Sequence, residues 1–229
     1  MLFIGTGSLL RHALVTASDS SVKVDLVCVD KDDGLVQFCR RLNFPVLVTR
    51  DINNDLLTEI GRSTDGVAIS VNNTSIIRDE LLTTELAFFN IHNGLVQKYR
   101  GIAEVCILAA VCQSEVEYGS TLHRLLPGQK VDAGPVLDQK TFKIRDDENF
   151  EKVFSNSIEN YKNQIELTLP RLSSLIELDG RYLHGTEQYS YKDVSMLIRN
   201  ASEDRRKLAC ALGKYTGLLP KLSSQLRNI

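Results

Sequence analysis

Asn90 and His92 lie two residues apart where an apolar run, Leu86-Ala87-Phe88-Phe89-Asn90-Ile91, comes to an end. If that run is a strand, its alternation puts both side chains on one face. A carboxamide able to donate to an oxyanion then stands beside an imidazole able to move a proton. Asp132 opens the sequence Asp132-Ala133-Gly134-Pro135, where an acidic residue ordinarily serves as a turn or cap residue. Gly5-Thr6-Gly7-Ser8 follows the short apolar run Leu2-Phe3-Ile4. A turn of that kind between strand and helix aims backbone N–H groups at an anion, so Gly7 and Ser8 are candidates for contact with a phosphate-bearing substrate. The dinucleotide-binding fingerprint is incomplete, because its third glycine would fall at Leu10. His12, His92, His123 and His184 have no carboxylate or cysteine at metal-ligand spacing, and no metal site is expected. His12 and His184 have no partner visible in the sequence and receive no role.

Strands alternating with helical stretches must hold these residues. Residues 2–5, 22–29, 45–48, 66–71 and 86–91 read as strands; 30–42 and 54–60 read as helices, and Leu9, Leu10, Ala13 and Leu14 mark one more. That alternation implies βαβ units and a mostly parallel sheet, an α/β fold. A further apolar helix is expected from Ala103 to Val111, and two β stretches around 119–125 and 136–144. Residues 148–175 carry Phe150, Val153, Phe154, Ile158, Tyr161 and Ile165 at helical spacing, with Pro170 a break. The organisation expected is a catalytic domain over 1–178 and a short C-terminal appendage over 179–229. Its apolar residues, among them Val194, Met196, Leu197 and Leu208, either pack on their own domain or form a homodimer surface.

At 229 residues the chain is large enough to bury a sizeable core without disulfides or metal. Lys plus Arg number 27 and Asp plus Glu 29, so the net charge of −2 excludes a broad basic surface and bulk nucleic-acid binding. No apolar run approaches the ~20 residues that span a bilayer. The N-terminus has no basic region ahead of an apolar run, as a signal peptide would. Five cysteines form no C-x-x-C pair; four sit in apolar surroundings and are expected as reduced core residues of a cytoplasmic protein.

Taken together, Asn90-x-His92, Tyr99-Arg100-Gly101, Gly119-x-Thr121-x-His123 and Asp132-x-Gly134 resemble, in order and approximate spacing, the motifs of the enzymes that transfer formyl from N10-formyltetrahydrofolate. The resemblance covers residues 1–175 and is densest over 88–138. It implies a Rossmann-like formyltransferase domain, with Asn90, His92 and Asp132 as the catalytic trio. It implies a folate slot on Ser75, Ile76 and Ile77, within Asn72-Asn73-Thr74-Ser75-Ile76-Ile77, and on Val131 in the loop before Asp132. Gly7, Ser8, Tyr99, Arg100 and His123 fall where substrate would be bound. The sequence departs from the family at Val96-Gln97, where Leu-Pro is usual, and at Gly94, where many members have Ser. Nine positions separate His123 from Asp132, two more than in the family, with a two-residue insertion within Pro127-Gly128-Gln129-Lys130.

Branches of the family differ around this core. The enzymes acting on methionyl-tRNA add a C-terminal barrel and basic surface, and the enzyme acting on glycinamide ribonucleotide has Asn at the position of Leu9. Nucleotide-sugar N-formyltransferases have a short tail beginning with a stretch similar to Gly185-Thr186-Glu187-Gln188-Tyr189-Ser190-Tyr191. An amino group on a nucleotide-linked sugar is therefore the expected acceptor. The alternatives are glycinamide ribonucleotide, water (a formyltetrahydrofolate hydrolase, which usually carries a further N-terminal domain) and a non-catalytic folate- or ligand-binding relative.

Overall fold

The computed structural model describes every residue except Asp33, His184, Thr186 and Ile229, so His184 and part of the 185–191 stretch lie outside the described residues. The apolar runs form strands and the amphipathic stretches form helices. In chain order these are β1 (Leu2–Gly5), α1 (Gly7–Asp19), β2 (Leu26–Val29), α2 (Leu35–Arg41), β3 (Val46–Val48), α3 (Ile52–Asp55), β4 (Val67–Val71), α4 (Asp79–Leu82) and β5 (Ala87–His92). There follow β6 (Arg100–Gly101), α5 (Ala103–Cys112), β7 (Glu117–Leu125), β8 (Val136–Lys143), α6 (Phe150–Thr168), β9 (Gln188–Tyr189), α7 (Val194–Asn200), α8 (Glu203–Cys210) and α9 (Pro220–Arg227).

Seven strands form one mixed, mostly parallel sheet in the order β3-β2-β1-β4-β5-β7-β8. Pairing is parallel between β1 and β2, β1 and β4, β2 and β3, and β4 and β5. β1, β2 and β4 are buried along their whole length, which is why they read as continuous apolar runs rather than alternating ones. β2 is shorter than the expected 22–29, since the residues ahead of it are coil, with Val22 N on the Ala17 carbonyl and Asp25 N on the Met1 carbonyl. The helical stretch 148–175 divides into α6 and a 3₁₀ segment over Leu169–Leu175, with Pro170 in its first turn, where a missing N–H costs least.

The chain divides into two compact units. The first comprises Met1–Ile91, Leu122–Asp138 and Lys162–Tyr182, and the second His92–Thr121, Gln139–Tyr161 and Leu183–Ile229. In the first, the strand order reverses between β1 and β4, and the carboxyl ends of such strands are where α/β folds open a crevice. Gly5 closes β1 against β4 so tightly that a Cβ would lie 1.8 Å from the Val71 carbonyl oxygen, and its φ is +154°. Asn72, just past β4, donates from Nδ2 to the Thr6 carbonyl at 3.1 Å, tying the two strand ends together.

In the second unit, α5 is apolar on every side and buried from Val105 to Cys112. Around it lies a core cluster to which Tyr189, Val194, Leu197 and Leu222 belong, so residues beyond 183 contribute to this core. The short strands β6 and β9 pair in parallel, Arg100 with Gln188 and Gly101 with Tyr189. Among the described residues no helix is long and apolar enough to cross a membrane.

Candidate active site

Asn90 is the fourth of the six residues of β5, and β7 neighbours β5 in the sheet. That register brings Asn90 Nδ2 to 3.1 Å from His123 Nε2. On its other nitrogen, His123 Nδ1 lies 3.2 Å from the Arg124 carbonyl oxygen, which can only accept. Neutral His123 therefore carries its proton on Nδ1, and its Nε2 lone pair receives the Asn90 amide. Asp132 Oδ1 is 3.6 Å from the same Nε2, and the imidazole itself is 0% exposed. Asn90, His123 and Asp132 thus form one polar row within the first unit.

A tight turn aims Asp132 at this row. Ala133 N donates to the Lys130 carbonyl, and Asp132 takes φ +53°, a left-handed conformation that Asp tolerates better than most residues. Gly134 is forced by closeness, because a Cβ there would lie 1.7 Å from the Arg124 carbonyl oxygen. The Asp-x-Gly pair is thus a device for laying the loop directly against β7 beside His123. The insertion forms a turn of its own at Pro127-Gly128, with Gly128 at φ +73° as a type II turn requires. Gly128 N donates to Asp79 Oδ1 at 3.0 Å, so the longer loop is docked on the start of α4.

The segment 72–78 runs into that same helix. Asn53 pins it from α3, its Nδ2 donating to the Ile76 carbonyl at 3.0 Å and its Oδ1 accepting from Arg78 N at 2.8 Å. Ile76 is left 68% exposed, and Val131, on the docked loop, 39% exposed. Both are apolar side chains on anchored loops of the first unit. Ser75 is half-buried and its N–H is taken by Asn73 Oδ1. Ile77 is instead a core residue, packed with Leu81 and Phe88; it lines the fold behind the segment rather than a slot.

In the second unit, His92 Nε2 is 2.8 Å from the Tyr99 carbonyl oxygen. Tyr99 was expected to meet substrate, but its side chain is 1% exposed, with rings of Tyr118 and Tyr189 at centroid distances of 5.2 and 5.9 Å. Burial pushes its phenol well above the ordinary range, with Glu115 adding to the shift. Arg100, expected beside substrate, spends its guanidinium on backbone: Nε on Val96, Nη1 on Gly185 and Nη2 on Leu183 carbonyls, at 2.8, 2.8 and 2.9 Å. Gly101 passes so close to Tyr189 that a Cβ would lie 2.4 Å from its carbonyl oxygen. The Tyr-Arg-Gly motif therefore binds this loop to the C-terminal stretch by packing, hydrogen bonds and close approach. His123 likewise is enclosed by protein partners, which makes it a positioning group rather than a surface for substrate.

The comparisons with known proteins agree with this architecture. No family model matches the sequence. Among solved structures, an N-formyltransferase from Helicobacter canadensis, in complex with folinic acid and dTDP-3-aminofucose, is 19% identical, with a TM-score of 0.66 over 84% of this chain and 71% of that one. A sugar N-formyltransferase from a Shewanella species is 14% identical, with a TM-score of 0.69 over 91% of this chain and 85% of that one. Its fold is that of the formyltransferases. A phosphoribosylglycinamide formyltransferase from Anaplasma phagocytophilum shares it as well, at 18% identity and a TM-score of 0.65 over 82% of this chain and 98% of that one. Within the formyltransferase fold seen here, α1 begins at Gly7, whose φ is +70°, and Ser8 is exposed at the same helix N-terminus. Nothing local in the sequence marks Asn53 or Asp79 as anchors, because their partners lie 25 and 49 residues along the chain. Among the described residues no group of three or more His, Cys, Asp or Glu side chains is placed to hold a metal ion.

Proposed function

We propose that this chain transfers a formyl group from N10-formyltetrahydrofolate to a primary amine, most consistently the amino group of a nucleotide-linked sugar. The observation that carries the proposal is the Asn90–His123–Asp132 row on the formyltransferase fold. The amine nitrogen attacks the formyl carbon, a C–N bond forms, and the carbonyl oxygen becomes an oxyanion. One Asn90 Nδ2 hydrogen is held by His123, which leaves the second to donate to that oxyanion. The bond to folate N10 then breaks, and the proton lost by the amine is returned to N10, with Asp132 and His92 as the groups proposed to carry it. The pterin is placed between Ile76 and Val131, beside Ser75, with Ile77 supporting the slot from the core. Gly7 and Ser8, at the start of α1, are proposed to receive the substrate's phosphates. The sugar-linked acceptor is supported by the neighbour solved with a dTDP-linked amino sugar and a folate.

The test is mass spectrometry of a panel of nucleotide-linked amino sugars and glycinamide ribonucleotide, each with enzyme and N10-formyltetrahydrofolate. A formyl group gained by an amino sugar supports the proposal. A gain on glycinamide ribonucleotide alone moves the chain to the other branch. Folate consumed with no acceptor modified favours a hydrolase, and folate left intact throughout rejects formyl transfer.

A further inference from the structure

The environment of His92 in the second unit leads beyond the choice of acceptor. A carbonyl oxygen has lone pairs and no proton, so His92 Nε2, 2.8 Å from the Tyr99 carbonyl, must be the donor in that contact. Nε2 therefore carries a hydrogen whether the ring is neutral or charged, and the lone pair of the neutral ring sits on Nδ1. The acceptor is held firmly. Tyr99 N donates to the Leu95 carbonyl at 2.7 Å, the Tyr99 ring is packed by Tyr118 and Tyr189, and the next residue, Arg100, is tied by three hydrogen bonds.

Gly94 faces this contact directly. A Cβ built there would lie 2.6 Å from His92 Nε2, 2.7 Å from the Tyr99 carbonyl oxygen and 3.0 Å from His92 Cδ2. Backbone at 94 has little freedom to retreat, because Thr121 Oγ1 donates to the Gly94 carbonyl at 2.7 Å. In this chain a side chain at this position would therefore have to displace the imidazole, the Tyr99 carbonyl or the backbone at 94, and each of these disturbs the contact. We propose that Gly94 is a positioning residue that, by leaving this space empty, fixes His92 as the Nε2–H tautomer and makes Nδ1 the nitrogen that takes up a proton. The proposal rests on the formyl-transfer reading only for its kinetic consequence; the tautomer follows from the His92 contact alone.

Two measurements test it. The first is ¹⁵N NMR of the full chain labelled at histidine, with the His92 signals assigned by their loss in His92→Gln. The expected spectrum has Nε2 protonated and Nδ1 with the shift of a lone-pair nitrogen while the ring is neutral. A neutral ring protonated on Nδ1 overturns the proposal, whatever the enzyme's activity. The second is a double-mutant cycle. Gly94→Ala in the wild-type background should lower kcat about 100-fold, the scale on which small misplacements act, with folate KM little changed. In the His92→Gln background the same substitution should have almost no further effect. Equal losses in both backgrounds would overturn a role exerted through His92, since a merely structural defect would add to both. Absence of formyl transfer with the expected tautomer rejects the functional reading and leaves the assignment of the proton intact.

Discussion

Asn90 gives one amide hydrogen to His123 and keeps a second for chemistry, which makes it the residue whose loss should be read most directly in turnover. Removing one oxyanion donor typically costs about 2.7–4 kcal/mol in the barrier, or two to three decades in rate. Asn90→Ala should therefore lower kcat by that factor while circular dichroism and the thermal midpoint stay close to wild type, because Asn90 is only partly buried. Formyl transfer near the wild-type rate would remove Asn90 from the chemistry. The residue types at this site were legible because oxyanion stabilisation and proton transfer need particular side chains, and Asn90, His92, His123 and Asp132 stand in recognisable motifs. Their partners were not legible. The resemblance groups Asp132 with Asn90 and His92, and the structure adds a contact of Asp132 with His123, a pairing that depends on which strand lies beside β5. The family resemblance puts Tyr99 and Arg100 where substrate would be bound. Only the three-dimensional neighbours reveal a buried ring and a guanidinium committed to carbonyls.

At the scale of elements, positions where backbones nearly touch decide whether the site assembles. Gly134→Ala would place a methyl 1.7 Å from the Arg124 carbonyl, and only backbone movement can relieve that overlap. Overpacking of this kind costs about 1–3 kcal/mol. It should show as a thermal midpoint lowered by several degrees together with reduced kcat, because the 130–134 turn that carries Asp132 has to lift from β7. A variant that melts lower but turns over normally would show that the turn does not set the chemistry. The approach to β2 supplies a pH test. Burial alone would raise the Asp25 carboxyl, but the Met1 ammonium, the Thr64 N–H and hydroxyl, and Lys23 outweigh it and hold the pKa at about 2, below the ordinary 3.8. A depressed carboxylate contributes stability above its unfolded pKa and loses it as pH falls through the folded one. Asp25 should thus supply about 2 kcal/mol at neutral pH, vanishing between roughly pH 4 and pH 2. Denaturant titrations should show that this loss is missing in Asp25→Asn. The parallel strands themselves were readable as apolar runs separated by helical stretches. The pairs Gly128 with Asp79 and Asn53 with Arg78 were not, since nothing local marks a loop amide for a partner so far along the chain.

At the scale of the molecule, the two compact units are interleaved in sequence, three segments belonging to each. β5, β7 and β8 each pass from one unit into the other, at His92, at Thr121 and Leu122, and at Asp138 and Gln139. No unit is a continuous stretch that can unfold while the rest of the chain is left undisturbed, so a single cooperative transition is expected. The cysteines report on both units. All five are free; Cys28 and Cys39 are buried in the first unit, Cys106 and Cys112 in the second, and Cys210 is exposed. Burial raises the Cys28 and Cys112 thiols to about 12 and Cys39 to about 11, which suppresses the reactive thiolate. Pulsed alkylation in rising urea, read by mass spectrometry, should label Cys210 in the native protein. Cys28, Cys39, Cys106 and Cys112 should then become reactive together, at one midpoint that coincides with the loss of circular dichroism. Separate midpoints for the Cys28–Cys39 and Cys106–Cys112 pairs would mean that the shared strands do not couple the two units. The site residues carried by β5 and β7 would then rest on parts of the protein that open independently.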